Sequence, residues 1–214
     1  MGNSTMTIPV EVPGLDTIIP TLDEGNMLVV ESGADPAKSF FIRRLARTAL
    51  AAGVSVTYLI SRDQKELRSL LKVEGGPEME ASSVLHIEEL DEMNELDGEA
   101  ERGGLLAVDS FSFLTLDLPP SRLAPLLRSL RTLCRERQTT VLLGTDRGMF
   151  EPRSEAVAMH LADGVLQFHS REGPEGLARF IRIPKWTNGK FVDRNIYYDF
   201  DGQRIAIDLR RRVL

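Results

Sequence analysis

Asn26-Met-Leu-Val-Val-Glu-Ser-Gly-Ala-Asp-Pro-Ala-Lys-Ser-Phe-Phe-Ile-Arg-Arg-Leu45 is the stretch from which the rest of the chain is read. A short apolar run, Met27 to Val30, ends in the cluster Gly33 to Pro36, and Lys38-Ser39 then opens a helical pattern. Strand, tight loop with Lys-Ser, and helix is the layout of a phosphate-binding loop. Its backbone N–H groups and the helix N-terminus attract anionic oxygens, the lysine reaches the outer phosphates, and the serine hydroxyl ligates magnesium. The candidate nucleotide-binding residues are thus Ser32, Gly33, Ala34, Asp35, Pro36, Ala37, Lys38 and Ser39. Two departures from G-x-x-x-x-G-K-[ST] stand out. Ala37 precedes the lysine where glycine is usual, and its Cβ restricts the backbone. Counting back from Lys38 puts Ser32, not Gly33, at the first glycine, so either Gly33 serves in a loop one residue short or Ser32 starts it. The competing reading is an ordinary strand-to-helix turn with a solvated lysine.

The chain of 214 residues is long enough for one α/β domain around a single core. A net charge of −6 gives no overall attraction to nucleic acid or to anionic membranes. Cys134 has no second cysteine to pair with, and no Cys/His cluster has zinc spacing. It falls on the apolar side of a helical pattern, as an inert core thiol does. No apolar run approaches a membrane span, and no basic-then-apolar signal pattern opens the chain. The expected location is cytoplasmic.

Residues 1–13 read as a flexible N-terminal arm or a short edge strand, and 14–214 as a single domain. Gly14 to Pro20 suggests one helical turn. After the loop, Phe41, Leu45, Ala49 and Ala52 form one stripe, and Gly53 is placed to end that helix. Val54 to Ser61 reads as a buried strand, and a second helix opens near Asp63. Ser83 to Ile87 is a short strand. Residues 88–103 carry eight acidic side chains and one base, Arg102, as solvated faces commonly do. Leu105 to Val108 is an apolar strand ending in Asp109. Ser121 to Arg137 is an amphipathic helix, Thr139 to Leu143 a strand, and Ser154 to Leu161 a helix. Strand–helix alternation predicts a mostly parallel sheet flanked by helices. From Gly164 onward, strands at 165–169, 177–183, 195–200 and 204–209 are joined by Gly-containing turns, predicting antiparallel strands that extend one edge.

Hydrolysis at such a loop needs a second carboxylate, at the end of a neighbouring strand, to hold the magnesium shell. Asp109 is placed for that, since open parallel sheets bind ligands beyond the carboxyl ends of their strands. The histidines His86, His160 and His169 share no ligand spacing. Trp186 is an interface aromatic or a partly buried packing residue, and Arg210 to Arg212 a solvated tail or an anion contact.

In order and spacing, the segments Gly14-Leu-Asp, Asp23 to Val30, the loop, Val56 to Asp63, Leu106 to Ser112, Thr140 to Asp146, Leu161 to Phe168, Arg179 to Lys185 and Phe200 to Ile207 resemble the KaiC-like group of RecA-superfamily P-loop ATPases. The resemblance runs from about residue 12 to the end. It implies a RecA-like P-loop core, ATP and magnesium, and rings or filaments with each site between subunits. It maps Lys38 onto the phosphate lysine, Ser39 and Asp109 onto the magnesium ligands, and Lys185 onto a lysine that reaches the neighbouring subunit's nucleotide.

Three positions depart from that pattern: Ala37, Arg62-Asp63 in place of a Glu-Glu pair that activates water, and Thr187 in place of a trans arginine. Loss of such an arginine costs about 10³–10⁵ in rate, and loss of the base a further 10²–10⁴ or so. Binding depends less on them. The expectation is a degenerate member: a regulatory or assembly module that binds ATP with magnesium and hydrolyses it poorly, associating with itself or with a paralogous ATPase. The alternatives are a slow ATPase in signal transduction with Asp63 as base, and a recombinase-like accessory on single-stranded DNA, which the acidic charge disfavours.

Overall fold

The computed structural model describes residues 7–60, 83–86, 103–173, 176–187 and 192–208. In chain order the elements are β1 (Thr7–Pro9), β2 (Thr21–Asp23), β3 (Met27–Ser32), α1 (Ala37–Ala51), β4 (Val56–Ile60), β5 (Ser83–His86), β6 (Leu105–Asp109), α2 (Phe111–Leu114), α3 (Pro120–Arg137), β7 (Thr140–Asp146), α4 (Pro152–Leu161), β8 (Gly164–Gly173), β9 (Gly176–Trp186), β10 (Val192–Phe200) and β11 (Ile205–Ile207). The second helix expected near Asp63 and nearly all of the acidic run 88–103 lie outside the described residues.

A strand buried along its whole length needs cover on both faces, and β3 and β6 are buried at every position. They lie inside a sheet of order β11-β10-β9-β8-β3-β7-β6-β4-β5. From β8 to β5 neighbouring strands run parallel, and from β8 to β11 antiparallel. This is the predicted α/β architecture, with the antiparallel strands extending one edge.

Side chains alternate across the sheet. Leu28 and Val30 point to the face covered by α1, where Phe40, Phe41 and Leu45 join Phe168, Ile181 and Tyr198. Met27 and Val29 point to the other face, under Leu126, Leu127 and Leu130 of α3 and Ala158 of α4. Cys134 lies within this second layer, and burial, then the nearby Asp163 charge, pushes its thiol pKa up to about 12, as befits an inert core group. Trp186 is partly buried over Gly164, where an added Cβ would stand 2.7 Å from its ring.

Of the two readings of residues 1–13, a flexible arm or a short strand, the described part from Thr7 onward takes the second. β1 pairs with β2, Ile8, Val10 and Val12 are buried, and Arg44 of α1 donates to the Glu11 carbonyl at 2.8 and 3.1 Å. The alternation Ile8, Val10, Val12 gives the segment an apolar face, and burying it outweighs the mobility that its prolines suggest. β8 runs longer than expected, through the exposed residues 170–173, and β9 from Gly176 to Trp186, because the ladder between the two strands continues from the Gly164/Trp186 pair to the Gly173/Gly176 pair.

A buried carboxylate fastens the start of the sheet. Asp163 accepts the Met27 N–H at 3.0 Å through one oxygen and Arg131 at 3.0 Å through the other. Removing it leaves a buried N–H without its partner, so Asp163→Ala is expected to cost about 1–3 kcal/mol in urea unfolding. Asp163→Asn, which keeps an acceptor oxygen, should cost less.

Candidate functional site

The connection from β3 to α1 comprises residues 33–36. β3 runs through Ser32, whose hydroxyl donates to the carbonyls of Gly33 at 2.8 Å and Asp35 at 3.3 Å. Ser32 thus closes the strand while its side chain belongs to the loop, and the residues between strand and helix begin at Gly33. Ala37 is the first residue of α1 and its side chain packs into the core. Its Cβ thus faces the interior, not a ligand.

Lys38 and Ser39 follow on the first turn of α1 and meet Asp109 from the end of β6. Ser39 Oγ donates to Asp109 Oδ1 at 3.1 Å, and Lys38 Nζ lies 4.0 Å from the same oxygen. β6 is not the neighbour of β3: β7 intervenes, with Gly144 in register between Val30 and Asp109. A Cβ there would stand 3.0 Å from Asp109 Oδ1 and 2.8 Å from Ile42 Cδ1. Glycine lets the carboxylate reach across the strand. The Tyr58 hydroxyl of β4 holds the other oxygen at 3.1 Å, and the Asp109–Ser110 peptide is cis.

A residue that the sequence reading did not single out completes the group. Asp146, at the end of β7, takes Lys38 Nζ at 2.6 Å through Oδ1, and through Oδ2 the hydroxyls of Ser110 and, at 3.2 Å, Ser112. Lys38 also donates to the Thr145 carbonyl at 3.4 Å and is 3% exposed. Burial alone would raise the Asp146 pKa, but the Lys38 ammonium and the two hydroxyls outweigh it and hold the carboxyl below its usual range. The signal was available: like Asp109, Asp146 closes an apolar run.

These groups fit a hydrated cation better than a polyphosphate. Ser39 and Asp109 offer hard oxygens of the kind magnesium takes. Among the described residues no group of three or more His, Cys, Asp or Glu side chains is placed to hold a metal by itself. Water and phosphate oxygens would supply the rest of the shell, the usual arrangement for that ion. The phosphate side fits less well. The Asp35 N–H is turned to the Gly33 carbonyl at 2.8 Å, Pro36 has no N–H, and the Ala37 N–H donates to Asp35 Oδ1 at 2.9 Å.

The other expected site residues are dispersed. Asp63 lies outside the described residues. Lys185 is near the start of β8, where it pairs with Val165, and its ammonium donates to the His160 carbonyl of α4 at 2.6 Å. Thr187 donates through its hydroxyl to the Asp163 carbonyl at 2.6 Å.

A second polar group, on the other face of the sheet, is invisible at the level of motifs. Glu31, 1% exposed on β3, accepts from Gln167 of β8 at 2.7 Å and from Arg147 at 3.3 and 3.4 Å. Burial would raise its pKa, but hydrogen bonds to Glu155 and Arg147 lower it on balance. The hydrogen bond to Glu31, then burial, pushes Glu155 up to about 7. The pair shares a proton that is held on Glu155 below about pH 7 and lost above it. His169 faces Arg147 at 3.2 Å and stacks on Phe180; burial, then the Arg147 charge, keeps its pKa low.

A family model described as a family of unknown function, DUF7125, matches residues 21–214. No curated protein matches the sequence. Among solved structures, the KaiC-like protein PH0186 from the hyperthermophilic archaeon Pyrococcus horikoshii OT3 superposes with a TM-score of 0.77 at 18% identity, covering 95% of this chain and 99% of that one. The flagellar accessory protein FlaH from Methanocaldococcus jannaschii gives 0.74 at 15% identity, covering 96% and 100%. At such identities the likeness is one of fold, and it establishes the RecA/KaiC-like architecture.

Two measurements probe these contacts. Gly144→Ala places a methyl group against Asp109 and the Val108 carbonyl, and is expected to destabilise by about 1–3 kcal/mol in denaturant unfolding, as overpacking does. Glu155 has a raised pKa, so its contribution to stability is present below its ordinary value of 4.5 and lost as pH rises through about 7. Glu155→Gln is uncharged throughout. Its melting temperature should gain on that of the wild type as pH rises through this window.

Proposed function

The chain belongs to DUF7125, a family of unknown function, and we propose that it is a degenerate RecA/KaiC-like module that takes up magnesium nucleotide at Lys38, Ser39 and Asp109, turns it over little, and acts by assembly. The observation that carries this reading is the meeting of Ser39 Oγ with Asp109 Oδ1 at 3.1 Å and of Lys38 Nζ with the same oxygen at 4.0 Å. Residues separated by seventy positions and an intervening strand converge on one rim.

Bound magnesium would supply charge neutralisation for the outer phosphates. The chain's own part is to hold that ion between Ser39 and Asp109 and to offer Lys38 to phosphate oxygens. Weak turnover follows from Thr187 where a trans arginine would stand, since the loss of that charge costs about 10³–10⁵ in rate. Assembly, with a second copy or a paralogous ATPase, is supported by Phe113 and Leu116. Both are 52% exposed, a few residues beyond Asp109. Apolar side chains left open at the rim of a site suit a surface that another subunit covers.

Calorimetry with ATP and ADP, with and without magnesium, tests the proposal. Saturable binding that needs magnesium and disappears in Lys38→Ala is the expected result, with phosphate release near background. A flat titration at high protein concentration would remove nucleotide from the account, and brisk turnover would remove the degenerate reading.

A further inference from the structure

Two groups that would receive phosphate, the Ala37 N–H and the Lys38 ammonium, are already engaged by carboxylates of the same chain. Asp35 is 7% exposed, and its Oδ1 accepts the Ala37 N–H at 2.9 Å. An aspartate that accepts the N–H two residues on is by itself an ordinary local turn. Here the second oxygen is claimed as well, by Arg179 of β9 and the Tyr198 hydroxyl of β10, each at 3.3 Å and each from more than a hundred residues away. Burial, then the Asp35 charge, raises the Tyr198 pKa, so this hydroxyl keeps its proton and stays a donor. Lys38 meets its anion independently, at Asp146 Oδ1.

The two carboxylates thus cover the two kinds of phosphate-attracting group in a loop of this type: a backbone donor at the helix start and the lysine. Each delivers, from within the chain, the negative charge that those donors favour. We propose that Asp35 and Asp146 are internal stand-ins for phosphate, an autoinhibitory contact that nucleotide must displace to enter. Displacing Asp35 releases Arg179 and Tyr198, so occupancy of the loop is coupled to the antiparallel strands. Arg179, freed of its partner, becomes a cation available to the incoming anion. The inference rests on the nucleotide reading above.

The test is binding, not turnover. Asparagine keeps an acceptor oxygen for the Ala37 N–H, so Asp35→Asn removes the charge and retains that hydrogen bond, and Asp146→Asn likewise removes the charge at Lys38. Affinity for a fluorescent ATP analogue with magnesium is measured by anisotropy for the wild type, both variants, the double variant and Lys38→Ala. Cooperative thermal unfolding is checked in each. Each single variant is expected to bind about tenfold more tightly than the wild type, the change that 1.4 kcal/mol produces, and the double variant more tightly still. Unchanged or weaker binding by folded variants, with the wild type binding and Lys38→Ala not, overturns the stand-ins and leaves the nucleotide site standing. Binding by the variants alone upholds them and makes the wild-type site a closed one. No binding by any folded form overturns both readings.

Discussion

The architecture turns on a carboxylate that crosses a strand. Asp109 belongs to β6, two strands from the loop it serves, and reaches Ser39 because Gly144 has no side chain to stand in the way. Were β7 to carry a bulky residue there, α1 would lose its polar tie to the far half of the sheet, and the rim would be three unrelated strand ends. The tie also fixes the first turn of α1, which sets where Lys38 can reach. Sheet order, helix start and site geometry are therefore one constraint.

Negative charge is unusually well accommodated around this rim. Asp35, Asp109 and Asp146, and Glu31 on the other side of the sheet, are each held by a cation, by hydroxyl groups or by a backbone N–H. A buried ion pair adds little net stability on its own account, but breaking one leaves an uncompensated charge at a cost of about 3–5 kcal/mol. The contacts therefore resist piecemeal change. In a functioning nucleotide site much of that positive charge would wait for phosphate, whereas here it is met internally.

The frame of the molecule was legible because it depends on local patterns. Met27 to Val30 and Leu105 to Val108 are apolar runs that only a doubly covered sheet can bury, and the stripe Phe41, Leu45, Ala49 has helical spacing. Lys38, Ser39 and Asp109 could be named because each sits at a strand end or helix start. Asp146 and Glu31 could not be assigned partners in the same way. Their contacts span 108 and 136 residues and follow from sheet order, which alternation of strands and helices does not specify. The choice between arm and short strand over residues 1–13 was open for a related reason. Prolines advertise irregular backbone, while the apolar alternation of Ile8, Val10 and Val12 has meaning only once there is a surface to lie against.

Cys134 gives the chain a practical property. Its thiol is buried and has little thiolate character near neutrality, so a maleimide dye added to the native protein should react with it slowly. A cysteine introduced on the exposed outer reach of β9 would then be the single reactive handle, and fluorophores could report the movement of those strands without first stripping a native sulfur from the core.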